Sequence, residues 1–314
     1  MASFGFSASC ALLSPDGTAV RHMSREELRA RFRDAALLVN ISGHLRDPEL
    51  LALPRRRAFI DLDPGYTQVW AMQGHDVGIG DHDLHLTVGA NVGTRRCALP
   101  TAGVRWLSVR QPVVLDRWPV AAPRFTRFTT VASWRGAYGP VTWRGRTYGV
   151  KAHEFRRLAD VPRRAELPFE VVLDIYPADE DDAIRLRAGG WSTVDPERTR
   201  DPAAFRRYVR GSGAEFSPAQ GVYASTRSGW FSDRTVRYLA SGRPALVQDT
   251  GQGDSLPVGE GLLTFSTPAE AVALARELVA DHVRHCTAAR RIAEDYFTPE
   301  RALGPLLEAA GVAP

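Results

Sequence analysis

The stretch Thr226–Gly251 constrains this chain most, because it reads without interruption as a strand end, a tight turn, a helix and a buried strand. Gly229 permits the turn, Ser232 is a good N-cap residue, and Asp233 puts a carboxylate in the first helical turn, where the helix end is positive. Val236, Leu239 and Ala240 recur at helical spacing. Gly242 stops the helix, Pro244 blocks its continuation, and Ala245–Val247 is a short apolar run of strand type. Asp249-Thr-Gly251 then falls at that strand's carboxyl end, the edge at which open α/β sheets bind ligands. A helix N-terminus flanked by Arg227 and Arg234 offers a seat for a diphosphate; without a ligand, the same stretch is one αβ unit of a large sheet.

The remainder repeats the alternation. Ala8–Leu13 predicts a short strand with Pro15-Asp16-Gly17 as its turn. Ser24-Arg-Glu-Glu27 is a capping box that opens a helix to about Asp34, and Ala35–Ile41 is an apolar run suited to a buried parallel strand. Asp47-Pro-Glu predicts a short helical turn, and Ala58–Leu62, Leu84–Val88 and Val104–Val109 predict further strands with polar loops after them. Pro119 and Pro123 mark a domain boundary, and Phe128–Trp134 begins a second sheet. A glycine-rich loop over residues 135–149 precedes a helix carrying Lys151, Glu154, Phe155 and Leu158. Phe169–Ile175, Trp191–Val194 and Leu262–Phe265 predict strands, and Thr267-Pro-Ala-Glu270 predicts a capped helix to about Cys286. Strands with polar residues gathered at their ends describe an α/β sheet with a cleft on one side.

Length and composition narrow the classes. A chain of 314 residues has room for two domains. No stretch approaches ~18 uninterrupted apolar residues, so no membrane span is expected. The first ten residues lack the basic and apolar regions of a signal peptide, and Cys10, Cys97 and Cys286 are odd in number and far apart. Both point to a reducing cytoplasm. The net charge of +4 is dispersed, with Arg55-Arg-Arg57 the densest run, so no nucleic-acid partner is expected. Lys151 is the single lysine among 40 basic side chains. The arginine excess reads as base-composition bias; a lone ammonium at a helix start suits a phosphate or is a chance survivor of that bias.

No GxSxG elbow, Walker loop, HExxH pair or GxGxxG turn is present, which removes support for serine hydrolase, P-loop, zincin and nicotinamide chemistry. His82 and His85, beside Asp81 and Asp83, read as a strand entry, and His282 and His285 as a solvated pair on one helix face, so no metal site is expected. Asp61 and Asp63 follow a buried strand at its carboxyl end, where one can serve as a general base or as a loop cap.

The runs Ser228-Gly-Trp-Phe-Ser-Asp-Arg234, Tyr238-Leu-Ala-Ser-Gly-Arg-Pro244 and Gln248-Asp-Thr-Gly251 together resemble the C-terminal domain of bacterial glycosyltransferase-like proteins with the GT-B fold. The likeness extends to Tyr148-Gly-Val-Lys151, Glu154-Phe155, Gly259-Glu-Gly-Leu262 and, in the first half, Asp61-Leu-Asp-Pro-Gly-Tyr-Thr-Gln68. It implies an α/β chain of two facing Rossmann-like domains: an acceptor-side domain over residues 1–122, a nucleotide-sugar domain over 123–298, and a terminal helix over 299–314 crossing back to the first. The implied activity is transfer of a sugar from a nucleoside-diphosphate sugar to an unidentified acceptor, without metal or cofactor. A nucleotide-sugar epimerase and a non-catalytic sugar-nucleotide or partner-binding protein are the alternatives. The donor-binding residues so implied are Arg227, Ser228, Gly229, Ser232, Asp233, Arg234, Asp249, Thr250, Gly251, Lys151, Trp134 and Arg135; Asp63 and His44, at the facing edge, are candidates for acceptor activation.

Three departures stand out. The two glutamates, eight positions apart, of retaining members fall here on Gly229 and Arg237. The His-x-Gly-Trp of inverting members is Arg227-Ser-Gly-Trp230. The first domain is also short, lacking the first one or two βα units of the fold. The sugar, the base, the stereochemical course and the oligomeric state stay open at this level.

Overall fold

A computed structural model describes residues 5–6, 9–14 and 20–312; the turn at Pro15-Asp16-Gly17 and the start of the Ala8–Leu13 strand lie outside the described residues. The first elements are a two-residue antiparallel pair, β1 (Leu12–Leu13) with β2 (Val20–Arg21). The helix Arg25–Asp34 follows with both halves of its capping box made: the Glu27 N–H donates to Ser24 Oγ (3.2 Å) and the Ser24 N–H to the Glu27 carboxylate (2.8 Å).

Two parallel sheets carry the architecture. The first holds β3 (Leu38–Ile41), β4 (Arg57–Asp61), β5 (Leu84–Thr87) and β6 (Trp106–Ser108), paired in chain order. Later come β7 (Phe128–Ser133), the hairpin strands β8 (Val141–Trp143) and β9 (Arg146–Tyr148), then β10 (Phe169–Asp174), β11 (Trp191–Val194), β12 (Ala214–Ser217), β13 (Ala245–Gln248) and β14 (Leu262–Phe265). Six of these form the second sheet in the order β11-β10-β7-β12-β13-β14. Counted along the chain, that is the doubly wound order 3-2-1-4-5-6, whose switch point lies between β7 and β12. Both faces of this sheet are packed. Phe128, Phe169, Trp191, Phe216 and Phe265 are buried in one cluster, and Val236, Leu239, Leu262, Ile292 and Phe297 in another.

The helix Pro299–Ala310 returns to the first sheet. Thr298 caps it, and Leu306 is buried with Ala58, Ile60, Leu86, Val88 and Val109. The domains also join through aromatic rings: Tyr66 of the helix Tyr66–Met72 shares a cluster with Tyr148, Val222 and Tyr223 of the second domain.

Two local expectations are corrected. The run expected as a glycine-rich loop folds largely into the β8–β9 hairpin, whose two-residue turn puts Arg144 (φ 49°) and Gly145 (φ 75°) in the left-handed region, as a primed turn requires. It leans on the first domain, where Gln73 Nε2 donates to the Thr142 carbonyl (3.0 Å). The helix from Pro268 ends at Ala280, and a new one runs His282–Tyr296 after a break at Asp281 (φ −128°, ψ 47°). The break turns His282 and His285 inward. Both are buried, with His282 Nε2 on the Gly213 carbonyl (2.8 Å) and His285 Nδ1 accepting from the Gly261 N–H (3.2 Å), so they are core groups rather than a solvated pair.

Because Leu306 closes the hydrophobic face of β4 and β5, Leu306→Ala should cost about 2–5 kcal/mol, read as a lower urea midpoint in equilibrium unfolding.

Candidate active site between the two sheets

The carboxyl end of β4 builds the first-domain side. Asp61 is fully buried and accepts from the Thr67 hydroxyl (2.6 Å), Gln68 Nε2 (2.8 Å), the Thr87 hydroxyl (2.8 Å) and the Asp63 N–H (3.0 Å). Burial pushes its carboxyl above the usual carboxylate range, while these donors favour the ion. Asp61 is therefore the hub that shapes the turn, and Asp63 is the carboxylate the turn delivers. Gly65 sits at φ 106°, and a Cβ there would lie 2.5 Å from Val222 Cγ2 of the second domain. From that domain the Tyr223 hydroxyl donates to Asp63 Oδ1 (2.8 Å), with the Tyr223 ring stacked on Trp230 at 4.6 Å.

Asp63 and His44 line one cavity of about 490 Å³, together with Arg46, Trp70, His75 and Tyr138. Tyr138 meets Trp70 edge-on at 4.9 Å, giving the cavity an aromatic wall contributed by both domains. His44 is exposed in the loop after β3.

Lys151 opens the helix Lys151–Arg157 on the opposing side. It is partly buried, and its ammonium makes no hydrogen bond or ion pair with a described residue. Burial, and then the Arg234 charge, push its pKa down to about 7 against the opposing pull of Glu215, Asp233 and Asp63. Asp63 belongs to the first domain, so the ammonium feels carboxylates from both sides of the cleft.

Arg234 is placed differently from the expectation. Its guanidinium points inward and donates to Glu215 (2.6 Å), the Val131 carbonyl (2.7 Å) and the Ser217 hydroxyl (2.6 Å). It holds the switch point together and sets the local charge. Ser232 caps the helix Asp233–Ala240 by accepting from the Arg234 N–H (3.3 Å), and the exposed Asp233 pairs with Arg237 (2.8 Å).

The loop residues expected around a donor form a seam between the domains instead. Arg227, at φ 52°, directs its guanidinium to Asp249 (3.2 Å) and Asp254 (3.7 Å). Its carbonyl accepts from Asn91 Nδ2 (3.1 Å), which also lies 3.0 Å from the Gly251 carbonyl. The Asn91 N–H donates to the Ser228 carbonyl (3.0 Å), and the Gly229 N–H to that of Thr250 (2.7 Å). Ser228, Thr250 and Gly251 are buried, and Thr250 Oγ1 donates to the Trp230 carbonyl (2.6 Å). Gly229 is glycine because a Cβ would stand 2.8 Å from the Asn91 nitrogen. Trp134 is fully buried against Phe155, and Arg135 forms a bidentate pair with Asp179 (2.7 and 2.6 Å). The structure thus brings Asp63 and His44 together, and places Lys151 where Asp63 and Asp233 both act on it; it does not gather the remainder around one open site.

Sequence reasoning missed Tyr223, Asn91 and Tyr138. The available signal was indirect: Asn91 lies in the loop after a predicted strand, and Tyr138 in the glycine-rich run. Among the described residues no group of three or more His, Cys, Asp or Glu side chains is placed to hold a metal ion.

No protein-family profile and no curated protein sequence matches the chain. Solved structures do. It is similar to AviGT4, a glycosyltransferase involved in avilamycin A biosynthesis (TM-score 0.51, 13% identity, 91% of this chain and 77% of that one). It is similar to Anabaena Alr3699/HepE in complex with UDP-glucose (0.56, 12%, 91% and 81%) and to an α-glucosyltransferase in complex with UDP-glucose and DNA containing an abasic site (0.56, 10%, 91% and 83%). The fold is that of the GT-B glycosyltransferases.

Two outcomes follow from this geometry. Gly229→Ala should destabilise the protein by about 1–3 kcal/mol in chemical unfolding, since φ 74° and the Asn91 backbone both oppose a side chain. The unfolded chain keeps the Lys151 proton up to its ordinary 10.5, whereas the folded protein releases it from about 7. Folded protein therefore binds fewer protons between those values, and stability contributed through this group rises with pH across that window. Lys151→Met should flatten the rise and increase the melting temperature at pH 7, both measurable by thermal unfolding from pH 6 to 10.

Proposed function

We propose that the protein is a glycosyltransferase that moves a sugar from a nucleoside-diphosphate sugar to a hydroxyl-bearing acceptor held against the first domain. The observation that carries this reading is Lys151, without a bonded partner among the described residues and within electrostatic reach of Asp63 from the other domain of a GT-B fold. A diphosphate at the carboxyl edge of the second sheet would rest against Lys151 and the amides that open the helix Asp233–Ala240. Its charge would restore the Lys151 proton, so the ammonium is fully charged when the leaving group departs. The reading thus gives leaving-group stabilisation to a side chain and a helix end rather than to a metal.

On the other side, Asp63 takes the proton of the acceptor hydroxyl as its oxygen bonds the anomeric carbon and the bond from sugar to diphosphate breaks. Tyr223 orients that carboxylate from the second domain. His44, in the same cavity, is the second candidate for the proton. The similar HepE structure contains UDP-glucose, which makes that compound the first donor to test. Three cysteines, odd in number and far apart in the sequence, are in keeping with a cytoplasmic protein, and no helix among the described residues is long and apolar enough to cross a membrane.

A nucleotide that binds should raise the melting temperature, by about 2.7 kcal/mol of stability at 100 times its dissociation constant, in a panel of UDP, dTDP and GDP. Its affinity should fall as pH rises above about 7, because Lys151 then starts neutral. Lys151→Met should weaken binding about tenfold or more and remove that pH dependence. Asp63→Asn should leave nucleotide affinity unchanged and slow transfer about 10²- to 10⁴-fold. The reading fails if no nucleotide binds, or if Asp63→Asn transfers sugar at the native rate.

A further inference from the structure

Among the described residues, one face of the first sheet is incompletely covered. On it, β3 is the edge strand, and its Val39 and Ile41 are 39% and 49% exposed, with the neighbouring Leu62 37% exposed. The terminal helix covers the part over β4 and β5, so its Leu303 and Leu307 form a wall beside an open groove of about 760 Å³. This volume lies within the range of small-molecule sites. Trp230 of the second domain also lines it.

The groove has a mixed lining. Hydrocarbon comes from β3 and the terminal helix. Its charged lining residues are Asp63, Arg110, Asp233 and Arg237, the first two from loops after strands and the last two from the helix Asp233–Ala240. Asp63 lines both this groove and the aromatic-walled cavity, so the groove adjoins the proposed reaction centre.

We propose that this groove receives the apolar body of an amphipathic acceptor, whose hydroxyl end lies beside Asp63. The proposal rests on the glycosyltransferase reading and names the class of its acceptor. The occupant is a small molecule with a hydroxylated head and a hydrocarbon or ring body, because the lining joins apolar side chains from three separate parts of the fold to four charged ones. A fully polar acceptor would leave Val39, Ile41 and Leu62 in contact with water.

The test uses methyl, butyl and octyl glucosides below their micelle concentrations, titrated into the full chain by calorimetry with and without UDP. Affinity should rise with chain length, by about two- to fourfold per methylene that reaches the groove. Ile41→Asp and, as a second variant at an exposed position, Val39→Asp should each weaken octyl glucoside binding about tenfold or more while UDP affinity stays unchanged. Octyl glucoside should also become glycosylated more efficiently than methyl glucoside. Equal affinity along the series, or octyl binding unaffected in both variants, would overturn the proposal. A dimer in sedimentation that Ile41→Asp splits, with no octyl glucoside binding, would also overturn it and make the face a contact between copies. Chain-length dependence without any nucleotide binding would overturn the acceptor role and the glycosyltransferase reading, while leaving the groove as an apolar binding site.

Discussion

The buried Asp61 carboxylate is the interaction on which the cleft depends. A carboxylate without solvent persists only where donors converge on it, and here two hydroxyls, an amide side chain and a backbone N–H do so. Those donors come from the end of β5, the start of the helix Tyr66–Met72 and the turn itself. Tying them together fixes the Asp-Pro-Gly turn, and the fixed turn sets Gly65 against Val222 and Asp63 against Tyr223. The position of the candidate base and the approach of the second domain therefore share one origin.

Much of the fold was legible because it is local. Ser24 with Glu27 announced a helix start, and short apolar runs bounded by turn residues marked Trp191–Val194 and Leu262–Phe265 at their observed limits. The likeness of the 228–251 run to GT-B proteins agreed with the architecture. What escaped was set by contacts distant in sequence. Nothing adjacent to Pro268 shows that Asp281 breaks the helix, and the two buried histidines meet the distant carbonyl of Gly213 and N–H of Gly261. The hairpin turn was hidden because Arg144 occupies a left-handed position where Asn or Gly is the usual signal.

The site was partly legible for the same reason. Arginine identity says where a cation is, but its partners decide what it can do. Arg227 and Arg234 both find carboxylates from other elements, Asp249 and Asp254 for the first and Glu215 for the second. In so arginine-rich a chain such pairing recurs across the surface. Lys151 stood out in the composition as the only lysine, and it stands out again as a cation set among mixed charges without a bonded partner. Glycine was equally ambiguous: Gly229 and Gly251 look like phosphate-loop residues, yet each leaves room for Asn91.

The two sheets differ in a way that divides their labour. Only the second has strands running outward in both directions from a central pair, which splays its loops apart and opens a crevice at the edge. The first, among the described residues, is wound in one direction only, so its successive loops stay side by side and it has no switch point. A gene duplication of equal halves would give two equivalent switch points. This chain has one, and whatever its first half recognises is met by the loop-walled cavity and the edge-strand groove, surfaces free to change without disturbing the switch point opposite.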